Sequence, residues 1–255
     1  MLVSVCILGL VFDSISAAVL LTPRINGGQE VQIQQFPFVA SLRELSGTNQ
    51  YKHLCGAVII SEKYLLTAAQ CFHSQQVNWF GITVGTNKKN DETAAVHAIK
   101  RILVHENYDA FTAPFNYDIA LIELDQPLKF NERVKQISIN GTFFEGQVEA
   151  ITLGFGGVYD NITKLQSLKV KTMTNAECRS KVNKLTPVYD YSTLCAYSGN
   201  PKQRIGHNDA GGPLIHENKL IGLISWNPQV VGSEKPEGFT RISSYYEGWI
   251  KKHMT

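Results

Sequence analysis

Beyond residue 30, this chain nowhere sustains the 3.6-residue periodicity of a long amphipathic helix. It offers short runs rich in β-branched and aromatic residues, set apart by Gly, Asn, Asp and Pro. The candidate strands are Phe38–Leu42, Ala57–Ile60, Tyr64–Ala68, Ile99–Val104, Ile119–Leu124, Val148–Leu153, Leu168–Thr172 and Leu220–Trp226. Short strands with regular turn punctuation are the pattern of all-β sandwiches and barrels. A parallel βαβ sheet needs a crossover helix between strands, and the pattern supplies none. Two helical stretches remain, Asn175–Lys184 and a terminal Ser244–His253 that offers Tyr245, Trp249 and Ile250 for one buried face. With 255 residues, 44% of them hydrophobic, the chain can bury a substantial core. It shows no repeat, low-complexity tract or linker, so one compact unit is expected.

The N-terminus narrows the compartment. Leu2 to Phe12 is apolar but too short to span a bilayer, and the small-residue run Ser14 to Ala18 follows it. That is the form of a secretory signal, so residues 1–18 read as a signal peptide and the chain as extracellular, with no membrane partner. Removal of Cys6 leaves Cys55, Cys71, Cys178 and Cys195. Four thiols in an exported chain imply two disulfides, with three connectivities open. Pairing Cys55 with Cys71 and Cys178 with Cys195 would close two loops of similar length, each stabilising the fold by about 3 kcal/mol. No C-x-x-C spacing or paired histidine suggests a metal, and no cofactor is expected. The sequons at Asn140 and Asn161 are candidate glycosylation sites. A net charge of +2 without a concentrated basic stripe argues against nucleic acid. The basic pairs Lys88-Lys89, Lys100-Arg101 and Lys251-Lys252 read as solvated surface.

Several separated segments together resemble the trypsin/chymotrypsin family. Arg24-Ile25-Asn26-Gly27-Gly28 is similar to its activation site, and Phe36-Pro37-Phe38-Val39-Ala40-Ser41-Leu42 to its first strand. Cys55-Gly56-Ala57-Val58-Ile59-Ile60 and Leu65-Leu66-Thr67-Ala68-Ala69-Gln70-Cys71 resemble the histidine loop. Asp118-Ile119-Ala120-Leu121 resembles the aspartate segment, and Asp209-Ala210-Gly211-Gly212-Pro213-Leu214 the nucleophile loop. Ser225-Trp226, Phe239-Thr240-Arg241 and Trp249-Ile250 complete the series in the family's order. The resemblance implies two packed antiparallel β-barrels with a C-terminal α-helix, the active site lying between the barrels. It also implies a short propeptide at 19–24 and a protease-like domain at 25–255, with the freed Ile25 ammonium paired to Asp209 after cleavage at Arg24.

Acyl transfer in this family needs a serine nucleophile, a histidine base and a buried aspartate. The matching positions hold Ala210, Gln70 and Asp118. A methyl group cannot attack a carbonyl, and an amide has no pKa that would let it act as a base. In a subtilisin-type triad, loss of the serine alone lowers turnover by about 10⁶. The resemblance therefore implies a pseudoprotease, with Asp118 kept as a core residue. His207 is the nearest titratable neighbour to Ala210, while His53, His73 and His105 fall outside the motif positions.

The specificity pocket departs from the family as well. Its base corresponds to Arg204, one wall to Glu237 and another to Asn227, positions where members carry an aspartate or small residues. An Arg204–Glu237 bidentate ion pair plugging the pocket is expected. A third family disulfide is missing, with Gly206 in place of one cysteine, and Asn208 replaces an oxyanion-hole glycine. Its amide could donate there given a positive φ.

The expected function is that of a secreted, monomeric binding protein. The wording of the chain looks similar to inactivated protease paralogues of parasitic mites, related to the group 3 mite allergens. Such a resemblance implies immune evasion through a protein partner, host plasma and complement proteins among them. Residual hydrolysis through His207 and water, a peptide trap, and glycan binding by converging lysines are the alternatives.

Overall fold

The computed structural model describes residues 28–47, 50–72, 76–156, 163–184, 186–227 and 235–254. The signal and propeptide assignments, Arg24, Ile25, His73 and Asn161 lie outside them. After a short β1 (Gln29–Glu30), six strands close the first barrel: β2 (Val39–Leu45), β3 (Tyr51–Ile59), β4 (Tyr64–Thr67), β5 (Phe80–Val84), β6 (His97–Val104) and β7 (Ala120–Leu124). β8 (Ser138–Ile139) leads into the second barrel, pairing parallel to its penultimate strand. That barrel comprises β9 (Glu149–Gly154), β10 (Gln166–Met173), β11 (Thr193–Tyr197), β12 (Pro213–His216), β13 (Lys219–Trp226) and β14 (Glu237–Arg241). Its antiparallel ring runs β9-β10-β11-β14-β13-β12 and closes back on β9. The expected pair of barrels is what the chain forms.

Alternation along the strands builds one core inside each barrel. Leu42, Ile59, Leu65, Phe80, Ile82 and Leu124 fill the first, and Leu168, Val170, Leu194, Leu214, Ile224 and Phe239 the second. The opposite faces are apolar where the barrels meet, so Val58, Leu66 and Leu121 pack in one cluster with Leu153, Leu223 and Phe155. On β10 the alternation also sends Lys169 and Lys171 to solvent.

Each of the eight sequence-predicted strands falls on an observed one. Six more strands, β1, β5, β8, β11, β12 and β14, are not announced by the pattern, and most are short or interrupted by residues that weaken a β signal. β5 contains Gly81, where an added Cβ would lie 2.3 Å from Val96 Cγ1. β12 opens on Pro213, β11 contains Cys195 and Ala196, and β1 and β8 are two-residue pairings. The helix α1 (Asn175–Lys181) starts where expected, because Thr174 and Glu177 form a reciprocal cap. It stops short of Lys184. At the C-terminus Ile242–Ser244 is a separate 3₁₀ turn, so the final helix begins two residues later than expected, as a π-helical turn Tyr246–Ile250 running into α2 (Lys251–His253). Tyr245, Trp249 and Ile250 are buried.

Candidate functional site

The cleft residues hang on the ends of strands from both barrels. Gln70 sits in a 3₁₀ turn, Ala69–Cys71, directly after β4, and the Cys55–Cys71 disulfide ties that turn to β3. Asp118 lies two residues before β7, Ser225 near the end of β13, and Ala210 between the 3₁₀ turn His207–Asp209 and β12. The barrels meet here backbone to backbone: Gly56 N donates to Ala210 O at 2.8 Å. A Cβ on Gly56 would stand 2.6 Å from Gly212 N, and Gly211 has φ +79°, so neither position admits a side chain without a shift. The second disulfide joins Cys178 of α1 to Cys195 of β11; of the three connectivities, the fold adopts the sequence-local one.

Asp118 is fully buried, and both carboxylate oxygens are engaged. Oδ1 accepts from Gln70 N at 2.9 Å; Oδ2 accepts from Gln70 Nε2 at 2.6 Å and Ser225 Oγ at 2.5 Å. Burial pushes the carboxyl above the usual carboxylate range, and the donors from Ser225, Gln70 and Ala69 pull it partly back. The Gln70 amide nitrogen also donates to the Ser225 carbonyl at 2.6 Å. Both of its hydrogens are therefore directed at acceptors, and the group facing the cleft has no proton-accepting nitrogen. Beside it Ala210 is 6% exposed and belongs to the first-barrel core cluster.

The ion pair expected in the pocket does not form. Arg204 and Glu237 are both buried, but Glu237 Oε2, Arg204 Nε and Arg204 Nη1 have no hydrogen-bond partner, which excludes a bidentate contact. The reason lies in the neighbouring backbone, since Ile205 N donates to Glu237 Oε1 at 2.6 Å and holds the carboxyl there. Desolvation pushes Glu237 up to about 8, with Ile205 and the Arg204 charge opposing it, and burial also lowers Arg204. Asn227 Nδ2 donates to Ile205 O at 3.4 Å, so all three pocket residues gather around Ile205. The chain has no room to spare nearby, because a Cβ on Gly238 would fall 2.0 Å from the Trp226 ring.

Asn208 also departs from expectation. It lies within the 3₁₀ turn and is not a positive-φ residue, so it does not take the left-handed conformation that donation from its amide was to require. Its side chain donates to Leu54 O at 2.9 Å, and its carbonyl contacts His53 Nε2 at 3.1 Å. His53, outside the motif positions, is a buried strut whose Nδ1 meets Ser41 Oγ at 2.8 Å. Desolvation and the nearby Lys89 charge lower it to about 3. No sequence signal marked this Ser41–His53–Asn208 connection, because its second link joins residues 155 positions apart. His105 is buried too, stacked between Tyr117 at 4.8 Å and Trp249 at 5.1 Å. The side chain of His207 lies outside the described part of the structure. Asp209 is buried and accepts from Gly156 N at 2.7 Å and Gly206 N at 2.6 Å. Asn140 is half-buried beside an exposed Thr142, whose amide donates to Asn140 Oδ1 at 3.0 Å.

Two closed antiparallel barrels, with a buried carboxylate and a tight glycine loop at their junction, define the two-barrel serine-protease class. The sequence model of the Trypsin family matches residues 25–250, and the chain belongs to that family. It is 28% identical to "Trypsin, alkaline B" of Manduca sexta, over 97% of each chain. It is 28% identical to hypodermin-B of Hypoderma lineatum, covering 98% of this chain and 96% of that one. Among solved structures, mouse neuropsin, a serine protease, aligns with a TM-score of 0.76 over 90% of this chain and 99% of that one, at 24% identity, a likeness of fold.

Proposed function

We propose that this protein is a proteolytically inactive member of the trypsin family that acts outside the cell by binding another protein. The observation carrying the reading is the Gln70 amide, which donates at 2.6 Å to both Asp118 and the Ser225 carbonyl. In the family that position supplies the imidazole that removes the nucleophile's proton, and an amide donating both hydrogens to acceptors cannot do so. Ala210 brings no nucleophile, and we read the buried Arg204 and Glu237 as filling the volume that would receive a substrate side chain. A peptide trap is disfavoured by the same filling. The resemblance to inactivated mite paralogues directs the partner search to host plasma, complement proteins included, and to interference with host defence.

Two experiments test this reading. The chain purified without residues 1–24 is expected to leave casein intact and to resist labelling by an organophosphate that acylates active-site serines. Native labelling, or native hydrolysis abolished by a Gln70 or His207 substitution, would overturn inactivity. A Gln70→His/Ala210→Ser variant that becomes labelled locates the loss in those two positions. A pull-down from host plasma beside a catalytically competent family member should retain a saturable partner on this chain alone; retention of nothing at micromolar protein would sink the binding role.

A further inference from the structure

The basic pairs conspicuous in the sequence are occupied or dispersed. Lys100 and Arg101 both pair with Glu123, and Lys251 pairs with Glu247. A different set of lysines converges only in the fold. Alternation on β10 points Lys169 and Lys171 outward, opposite Ile151 and Glu149 of β9, and Lys181 of α1 faces the same surface. A groove of about 460 Å³ lies between these three lysines and α1. A second, of about 420 Å³, lies between the same strands and Phe36, Phe38 and Ile215. Glu149 and Lys169 line both, so the two grooves adjoin on the outside of the second barrel and are together termed the trough.

We propose that this trough is a docking site for an extended segment of a partner protein with an acidic half and an apolar half. Charge argues for the first half. Among the described residues, none of the three lysines lies within 4.0 Å of a carboxylate. Of the two acids lining the lysine groove, Glu177 accepts from Thr174 N at 2.9 Å and Thr174 Oγ1 at 3.1 Å, and Glu149 stands opposite Lys171, so the lysines there outnumber the acids. The apolar side chains argue for the second half, since a sulfated glycan satisfying the lysines would leave the Phe36 and Phe38 rings wetted. β9 and β10 are hydrogen-bonded on both sides, so the segment is read by side chains and not by strand addition. The surface lies outside the cleft, and the proposal stands whether or not the chain hydrolyses peptides.

Fluorescence anisotropy on the full folded domain provides the test, using a fluorescein-labelled peptide with a glutamate/aspartate half and a leucine/phenylalanine half. The expected result is saturable binding weakened about tenfold or more by Lys169→Glu/Lys171→Glu, a change of at least about 1.4 kcal/mol. Added salt should weaken it as well. Peptides with the acids converted to amides, or the apolar half to serines, should each bind at least about tenfold more weakly. Both lysines are exposed, and the milder Lys169→Gln/Lys171→Gln variant guards against misfolding, checked by its melting curve. Binding indifferent to both lysine pairs, or equal binding of the amide peptide, would overturn the proposal. So would a heparin oligosaccharide binding at the lysines while the peptide does not, which would make the site a glycan site.

Discussion

Two buried carboxylates, both reached from β13 and its neighbours, are treated in opposite ways by the same fold. Asp118 has donors on both oxygens, from Gln70 and Ser225. Glu237 has one donor, Ile205 N, and one oxygen with no partner, beside an arginine with two nitrogens in the same condition. The first is a buried carboxylate whose hydrogen bonding is complete. The second is a buried pair of opposite charges whose hydrogen bonding is incomplete. A buried polar group costs about 1–3 kcal/mol when left unpaired. The contrast thus separates a satisfied buried charge from an unsatisfied one.

The largest effect should come from breaking the satisfied site. Asp118→Ala strands the Gln70 amide and the Ser225 hydroxyl, and by analogy with broken buried pairs should cost about 3–5 kcal/mol in urea unfolding. A loss under about 1 kcal/mol would mean that Asp118 is not the hydrogen-bonding hub of the cleft.

pH separates the two regions further. Glu237 is raised from 4.5 to about 8, so the folded state holds a proton there that the unfolded state releases between those values. Stability from this group is therefore present below about pH 4.5 and lost as pH rises toward 8, at about 1.4 kcal/mol per unit. Asp118, also pushed upward by burial, shares that sign. His53 is lowered from 6.5 to about 3, so the unfolded state binds the extra proton and stability is lost as pH falls from 6.5 toward 3. The two slopes oppose one another between about 4.5 and 6.5, and above 6.5 the carboxylates act alone. Glu237→Gln, which keeps the acceptor for Ile205 N, should flatten the decline between pH 6.5 and 8 and leave the acid limb in place. An unchanged decline would assign it to Asp118 or another group.

How much of this was legible beforehand follows the same division. The two-barrel architecture and the identity of the cleft residues were carried by local strings such as Thr67-Ala68-Ala69-Gln70-Cys71, whose strand, turn and cysteine positions are read in order. The structure buries Asp118 completely, and that it is a core residue was legible from the family resemblance. The Arg204–Glu237 pairing was not, because opposite charges at matching positions say nothing about which backbone amide reaches the carboxyl first. The lysines of β10 were invisible as a group for a related reason. Spacing shows that Lys169 and Lys171 share a face, but only the packing of α1 brings Lys181 to it.

A smaller loss is expected from Ser225→Ala. The hydroxyl is one of two donors to Asp118 Oδ2 among the described residues, and its removal leaves the Gln70 amide in place. A hydrogen bond to a charged group contributes about 1.5–3 kcal/mol, and the remaining donor should hold the loss to the lower end. Denaturation of the single and of the Gln70→Ala/Ser225→Ala double variant gives the coupling directly. Additive losses would mean that the two donors support Asp118 independently.

The smallest effect should belong to Arg204→Met, and its pH dependence decides between two accounts of the pocket. Removing one partner of a buried ion pair ordinarily costs about 3–5 kcal/mol, because the other charge is left stranded. Here burial pushes Glu237 up to about 8, so its protonated form is expected at pH 6.5 and removing Arg204 should strand no charge. Two unpartnered guanidinium nitrogens leave the interior as well. The change at pH 6.5 should therefore stay within about 1 kcal/mol in either direction. At pH 9, where Glu237 is ionised beside the arginine, the same substitution should cost more, because the Arg204 charge is among the interactions that favour the carboxylate. Chemical denaturation at the two pH values provides the comparison. A large loss already at pH 6.5 would show that the two groups form a true ion pair in solution and that the pocket, like the Asp118 site, has found its partners.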